Sequence, residues 1–413
     1  MWKLTPGTKL APPSFRVCSA QETEQRLRAV LPRVPVTRVS DLTPLDPLGL
    51  PAFTAVTPLA RDLTTHMGKG VDAVSARVSA LMEAVERVSA ETAPPGSTRR
   101  ATLAELAAAH ARSPARDARP VDPRQLQLPG DSAFSPERPF TWIQAHDLST
   151  DEPAWMAADL AVSPPNEGIL REVDTSGLAS GNTHLEATVH ALCEVIERDA
   201  LSQHEVFDLF GEAGDVGPRI ERLALSGLPE SAAAWARRVR DAGHDLIVQD
   251  LTSEVGIATF RALLLDHGYP GEKEPREAVF SGLGTAPDAE LALVRSITEA
   301  VQSRLGVIQG ARDSYNTAAP SARAWTRGAR LRWLAAPETR AFRDVPSFRS
   351  ADLSADLAHL LARVAAAGLG PVLAMDLTRA DLGIPVVRVR VPGLSCFVVN
   401  RRRVDLRCLR HLV

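Results

Sequence analysis

One repeated helix constrains this chain more than any other feature. The stretch S-G-N-T-H-L-E-A-T-V-H-A-L-C-E-V-I-E-R-D-A, Ser180 to Ala200, carries Glu186, His190, Glu194 and Glu197 at spacings of four, four and three. On a helix these four fall within roughly 80° of arc. Val189, Leu192, Cys193 and Ile196 form an apolar stripe beside them. The pattern recurs, because Gly70 to Arg87 superposes on Gly181 to Arg198 at a constant offset of 111 residues. Ser75, Ser79, Glu83 and Glu86 then take the polar places, and Val78, Leu81, Met82 and Val85 the apolar ones. A weaker third copy lies at an offset of 216, with Arg295, Glu299 and Gln302 polar and Val294, Ile297 and Val301 apolar. Internal self-similarity of this kind means that one structural unit is used several times.

A second repeat joins a helix to a strand, a turn and another strand. A-W-A-R-R-V-R-D-A-G-H-D-L-I-V-Q-D-L-T resembles L-L-A-R-V-A-A-A-G-L-G-P-V-L-A-M-D-L-T, with D-L-T at a turn beginning at Asp250 and Asp376. Helices alternating with hairpin-like strands predict an α/β fold with mixed sheets. Helices are expected over about 21–31, 71–92 and a short stretch near 101–112, and a strand over 51–60. Residues 93–100 read as a Pro/Gly/Ser loop. The expected organisation is an N-terminal segment over 1–50, a catalytic domain over 51–400 and a tail over 401–413.

Bulk properties narrow the function. The net charge is −3, without a basic or acidic block, so no nucleic-acid or membrane-surface partner is indicated. No signal-peptide core or apolar run of membrane-spanning length is present, and a cytoplasmic protein is expected. Cys18, Cys193, Cys396 and Cys408 stand far apart, with no C-x-x-C pair to suggest a disulfide framework or a zinc site. Cys193 lies on the apolar stripe and reads as a packing residue.

What can a doubled E-x-x-E helix do? Carboxylates at i and i+3 share a face, and two such pairs brought together would repel and raise one another's pKa. Hard cations relieve this, and Mg²⁺ commonly links protein carboxylates to substrate phosphates. One E-x-x-E-R alone would read as a solvated amphipathic face; its repetition at a fixed offset argues for a site. G-K-G at 68–70 and S-G-N at 180–182 place small residues before helix N-termini, where free N–H groups favour anions. Lys69 is placed to meet a phosphate. There is no Walker A sequence, no H-E-x-x-H and no G-x-S-x-G, and G-L-G-T at 282–285 is too short for a dinucleotide fingerprint. The residues by themselves therefore predict a magnesium-nucleotide site lined by several helices.

S-A-L-M-E-A-V-E-R, the opening stretch, A-L-V-R-S-I-T-E-A-V-Q-S-R and P-V-V-R-V-R-V-P-G-L occur in this order. Together they resemble the YcaO family over about residues 50 to 395. The resemblance implies a YcaO-type α/β fold whose E-x-x-E helices line a Mg-ATP site. It implies an ATP-dependent enzyme in which a nucleophile adds to a peptide backbone amide and the resulting oxygen takes the γ-phosphate. A side-chain nucleophile then gives an azoline, and external sulfide a thioamide. By motif, Glu83, Glu86, Glu194 and Glu197 resemble the magnesium ligands. Ser79, Asn182, Glu186, Arg198, Glu299 and Gln302 resemble nucleotide-site positions, with Arg295, Arg304 and Lys9 as further phosphate contacts. Azoline-forming relatives often end in P-x-P-x-P, whereas this sequence ends R-R-R-V-D-L-R-C-L-R-H-L-V. V-D-L-R-C-L suits an edge strand or a packed terminal segment. The N-terminal region resembles that of YcaO proteins that work with a TfuA partner, which are associated with thioamidation. The expected function is thioamide formation on a peptide or protein with a TfuA-like partner. Azoline or amidine formation and a non-catalytic nucleotide- or peptide-binding scaffold are the alternatives; a homodimer is left open.

Overall fold

The computed structural model describes residues 4, 7–10, 14–210, 221–266, 279–310 and 337–412. Helix α1 (Ala20–Val30) opens the chain with Ser19 and Glu22 forming a reciprocal capping box. Strands β1 (Arg38–Asp41), β2 (Ala52–Val56) and β3 (Thr65–Lys69) form an antiparallel sheet in that order. Helix α2 (Ala73–Ala90) leaves the edge strand β3. A second sheet begins with β4 (Thr98–Ala101), followed by α3 (Leu103–Arg112), β5 (Arg119–Pro120), β6 (Phe140–Asp147), β7 (Glu152–Ala157) and β8 (Leu178–Ser180). Helix α4 (His184–Phe210) leaves β8. A third sheet is made from β9 (Glu221–Arg222), which precedes helix α5 (Glu230–Asp241), and from β10 (Asp245–Asp250), β11 (Thr259–Leu265) and β12 (Val279–Thr285), which follow it; its strands pair antiparallel. Helix α6 (Ala289–Gln309) leaves its edge strand β12. Helix α7 (Leu353–Ala366), β13 (Leu373–Asp376) and β14 (Val386–Arg390) follow, the two strands completing the second, seven-stranded sheet. A short helix α8 (Leu406–Leu409) comes last.

The mixed α/β architecture is the one expected, and among the described strands the parallel pair is β5 with β7. Two details differ from the sequence reading. Thr98–Ala101 pairs with β6, where residues 93–100 were expected as loop; Gly96 and the prolines mark only the approach. Leu406–Leu409 is a short helix, started by Asp405 accepting the Arg407 N–H at 2.7 Å, so the alternating pattern is not a strand.

All three sequence copies share geometry. Helices α2, α4 and α6 begin at equivalent positions, Asp72, Thr183 and Asp288, whose side chains accept N–H groups of Ser75, Glu186 and Glu290. A Cβ added at Gly70 or Gly181 would meet the N atom of Ala76 or Ala187, at 2.5 and 2.6 Å, again 111 residues apart. A Cβ on Gly68 would lie 2.4 Å from the Ala76 carbonyl oxygen, and one on Gly284 2.1 Å from the equivalent Ala292 oxygen. Each acidic helix therefore lies against backbone, with no room for a side chain between them.

The three units interlock in a ring. Helix α2, leaving the first sheet, touches β8 of the second. Helix α4, leaving the second, touches β12 of the third, and α6, leaving the third, touches β3 of the first. The apolar stripes face inward on both large cores: Val78, Leu81 and Val85 in one, Val189, Leu192, Ile196, Ile297 and Val301 in the other. The D-L-T repeat is also structural, since the Thr252 and Thr378 N–H groups donate to Asp250 and Asp376 at 2.9 and 2.8 Å.

Gly284→Ala should destabilise the protein by about 1–3 kcal/mol, because the new methyl forces α6 off β12. Gly130→Ala, where nothing lies within 4 Å, should be near neutral. Urea unfolding of both variants checks this; equal midpoints would mean the close approach is not needed.

Candidate active site

The interlocked ring turns the polar faces of α2, α4 and α6 toward one another. Glu86 of α2 feels Glu194 of α4, and Glu197 of α4 feels Glu299 of α6. These are the same two positions of successive copies. By the same relation the counterpart of the third pair would be Gln302 with Glu83, where an amide replaces a further carboxylate. Ser79 lies half-buried one turn before Glu83, and Gln302 half-buried one turn after Glu299.

Crowding shows in the titration of the group. Burial pushes Glu86 up to about 8, aided by Glu194 and Glu83 and opposed by Arg87 and by the Ser180 N–H, which donates at 2.8 Å. Burial likewise pushes Glu197 up to about 7, with Glu299 and Glu194 adding and Arg198 and Arg295 opposing. Glu299 goes the other way: burial would raise it, but Lys69, Arg198 and Arg295 hold it below the usual carboxylate range. Lys69 Nζ sits 3.2 Å from Glu299, and burial depresses its amine despite that partner. Arg198 donates to Glu194 at 3.3 Å, whereas its sequence counterpart Arg87 is drawn aside to Asp62 at 3.0 Å. Arg198 is thus held against the acids, while Arg87 acts on Glu86 from its place beside Asp62.

Among the described residues no group of three His, Cys, Asp or Glu side chains is spaced to hold one ion. The donor set still fits Mg²⁺, which keeps several waters and is commonly held by one or two carboxylates with substrate phosphates.

A cationic pocket adjoins the acids toward the start of α4. Glu186 is buried and accepts from Arg16 at 2.6 Å, from the Val17 N–H at 3.3 Å and from Asn182 at 3.3 Å. Thr23 donates to Asn182 at 2.9 Å, so the first turn of α1 is tied to the entry of α4. Arg295 donates to His190 Nε2 at 2.9 Å; an arginine can only donate, so that nitrogen is the unprotonated one. Burial keeps His190 neutral, with Arg295, Arg16 and Lys69 acting in the same direction. Phe15, Arg16, Glu186, His190, Leu291 and Arg295 surround a cavity of ≈ 120 Å³ here.

Most residues expected from the sequence are thus brought together: Lys69, Asn182, Glu186, Arg198, Arg295 and Glu299, with Glu83, Glu86, Glu194 and Glu197. Two are not. Lys9 is held by Asp356 of α7 at 2.8 Å, and Arg304 by Asp46 and Asp266 at 2.6 and 3.0 Å. Both ion pairs are buried and join separate chain segments. Arg16 was missed, since its Pro-rich neighbourhood carries no periodicity; only its docking on Glu186 reveals it. Cys193 is buried and burial pushes its thiol up, in keeping with packing.

A family model described as YcaO cyclodehydratase, ATP- and Mg²⁺-binding, matches residues 67–395. An uncharacterized protein of Methanothermobacter thermautotrophicus is 35% identical over 396 residues, 94% of this chain and 96% of that protein. An uncharacterized protein in the tfuA 3′ region of Rhizobium leguminosarum bv. trifolii is 30% identical over 404 residues, 92% of this chain and 88% of that protein. The structure of YcaO from Methanopyrus kandleri bound with AMPPCP and Mg²⁺ superposes with a TM-score of 0.73 at 26% identity, covering 97% of this chain and 98% of that one. A heterocyclase in complex with substrate and cofactor gives 0.75 at 24% identity, over 95% of this chain and 54% of that one, and shows the fold alone.

The raised carboxyls make a pH prediction. The folded state holds the Glu86 proton up to about 8, while an unfolded glutamate loses it near pH ~4.3. Native protein then binds more protons than unfolded chain across this window, so this group's contribution to stability falls as pH rises through it. Metal-free wild type should lose melting temperature between pH 6 and 8 more steeply than Glu86→Gln. Identical slopes would show that Glu86 is not so crowded.

Proposed function

The chain belongs to the YcaO family, and from that premise we propose that it activates a peptide backbone amide by O-phosphorylation from ATP, forms a thioamide, and works with a TfuA-like protein that delivers sulfur. The observation carrying this reading is the convergence of three copies of one helix, which sets crowded carboxylates beside a cationic pocket. Such a site calls for a divalent cation and a phosphorylated ligand together.

In this reading Glu83, Glu86, Glu194 and Glu197 hold Mg²⁺, which supplies charge neutralisation at the phosphates. Lys69, Arg16 and Arg295 meet phosphate oxygens; Ser79, Asn182, Glu186, Arg198, Glu299 and Gln302 complete the nucleotide site. Lys9 and Arg304 would have to abandon buried carboxylates to join them, so we leave both outside it. Sulfide adds to the amide carbon and the carbonyl π pair moves to oxygen. That oxygen attacks the γ-phosphorus and ADP leaves. Expulsion of phosphate with loss of a proton then yields the C=S bond. The residues here position and neutralise rather than bond covalently, as phosphoryl transfer requires.

Two observations favour the thioamide. Residues 403–410 pack behind α4, where Arg403 meets Asp174 and Arg407 meets Asp199, instead of entering the acids. A relative is encoded beside tfuA. Azoline formation is the second reading, favoured by the cyclodehydratase description of the family. A non-catalytic scaffold is disfavoured because every acid of both E-x-x-E pairs is present. No described helix is long and apolar enough to cross a membrane, and a cytoplasmic location fits the ATP requirement.

Mg²⁺ with ATP should stabilise the protein by about 2.7 kcal/mol at a hundredfold excess over Kd, and neither alone as much. Glu194→Gln and Glu83→Gln should keep the fold but lower peptide-dependent ADP release by about 10²-fold or more. A thioamide product gains about 16 Da, and an azoline loses about 18 Da. Melting curves indifferent to Mg·ATP, or wild-type turnover in both variants, would overturn the site assignment.

A further inference from the structure

A second cavity, of ≈ 280 Å³, lies along the same helix beyond the acids. Its lining includes Ala200, Gln203 and His204 of α4 and the turn from Asp250 to Glu254, with Arg340 and Arg410 on the far side. His204 follows Glu197 by seven residues, so it lies on the same face of α4, about 10 Å further along the axis. One small apolar cluster lies between the cavity and the acid cluster. Ala200 and Leu251 line the cavity and pack with Leu201 and Leu283 in one small apolar cluster. Leu283 also donates its N–H to Glu299 at 3.3 Å. One residue thus touches the acid cluster through its backbone and the cavity wall through its side chain.

The lining says what the cavity suits. Arg340 meets Glu221 at 2.8 Å and Asp250 at 3.3 Å, and Arg410 meets Glu254 at 2.8 Å. Arg407 also reaches Glu254, so the three carboxylates Glu221, Asp250 and Glu254 are matched by three arginines whose guanidinium groups are already engaged. A phosphate-bearing ligand would find the arginines of this lining already held by carboxylates. Thr252 and Ser253 accept the N–H groups of Thr259 and Val255, and their hydroxyl hydrogens have no acceptor among the described residues. Hydroxyl donors beside the apolar wall of Ala200, Leu251 and Pro346 suit a neutral chain that alternates amide and alkyl groups. The volume, near the lower end of the roughly 300–1,000 Å³ range of small-ligand pockets, matches a short segment rather than a folded domain.

The geometry points to this cavity as the subsite for the peptide backbone flanking the amide to be activated. The peptide would enter over the 250–254 turn and present its carbonyl across Leu283 to the acids. This rests on the ATP-dependent amide-activation reading above and names the place of its second substrate.

The probe is a capped tetraalanine amide carrying one diazirine side chain, photolysed with the full chain and Mg²⁺·AMPPCP. Label is expected on residues 250–254 and 200–204. Ser253→Trp, which fills the cavity, should cut labelling by about tenfold while leaving the Mg²⁺·AMPPCP Kd within about twofold. If that variant does not fold, Thr252→Val, which removes one donor at constant shape, should still lower labelling several-fold. No labelling of wild type, label elsewhere, or equal labelling of wild type and variants would overturn the proposal. So would loss of label to competing inorganic phosphate, which would mark an anion subsite. Labelling at the cavity with no AMPPCP binding to wild type would support the subsite and overturn the ATP reading instead.

Discussion

Crowding of like charge is the constraint on which the rest of this structure depends. Glu83, Glu86, Glu194, Glu197 and Glu299 approach from three helices, and every other feature of the centre tolerates or offsets that approach. Glycines at 68, 70, 181, 282 and 284 let the helices lie on strand and turn backbone, so packing forces the acids inward. Lys69, Arg198 and Arg295 offset part of the repulsion and hold Glu299 ionised. Burial, joined by the remaining repulsion, raises Glu86 and Glu197, whose carboxyls keep their protons to about 8 and 7. A folded protein can tolerate that much unrelieved charge in a buried place when a cation is to fill it.

The helices were legible in the sequence because their signal is local. A 3.6-residue period, a polar stripe and a constant offset need no knowledge of the sheets. Even the weak third copy is real: Asp288 caps where Asp72 does, and Gly284 meets α6 as Gly68 meets α2. What the residues could not show was the interlocking, in which each helix leaves one sheet and docks on the next. That depends on contacts between segments far apart in the sequence, such as Ser180 with Glu86 and Lys69 with Glu299, which no periodicity encodes. Arg16 was invisible for this reason, and so were the ion pairs that Lys9 and Arg304 make. A basic side chain near a motif says nothing about which distant carboxylate will claim it, and Asp356, Asp46 and Asp266 claim these two. The strand at Thr98–Ala101 was hidden by its exposed arginines, whose pairing with β6 is decided by the neighbouring strand.

Divergence among the copies makes the site directional. A ring of three identical helices would be uniformly acidic. Instead the position ahead of the acids is Ser79, His190 and Arg295 in turn, and the last acid is replaced by Gln302 in α6. Positive charge therefore collects at one end, where Arg16 and Arg295 flank Glu186 and His190. Carboxylates dominate the middle. Along α4 the order is cationic pocket, acids, then the hydroxyl-lined cavity past Ala200. In the proposed function that order matches a nucleotide, its metal-bound phosphates and the amide that receives the phosphoryl group.

Helix α4 must keep its register for such an order to hold, and its back is braced accordingly. Asp199 lies on the side of the helix away from Glu197 and is fully buried. It accepts from the Ser395 N–H at 2.8 Å and from Arg407 at 2.8 and 3.1 Å. Arg407 also reaches Glu254 of the cavity turn, so one side chain ties the helix to the connection between β10 and β11. Arg403 anchors the same segment by donating to Asp174 at 2.6 Å and to the Leu126 and Gln127 carbonyls at 2.9 and 3.0 Å. A buried arginine with its donors satisfied is expensive to displace, since removal leaves Asp174 with Arg390 as its remaining direct side-chain partner. The segment from 403 to 410 thus influences the acids by holding the rear of the helix that carries them, with no side chain of its own in their midst.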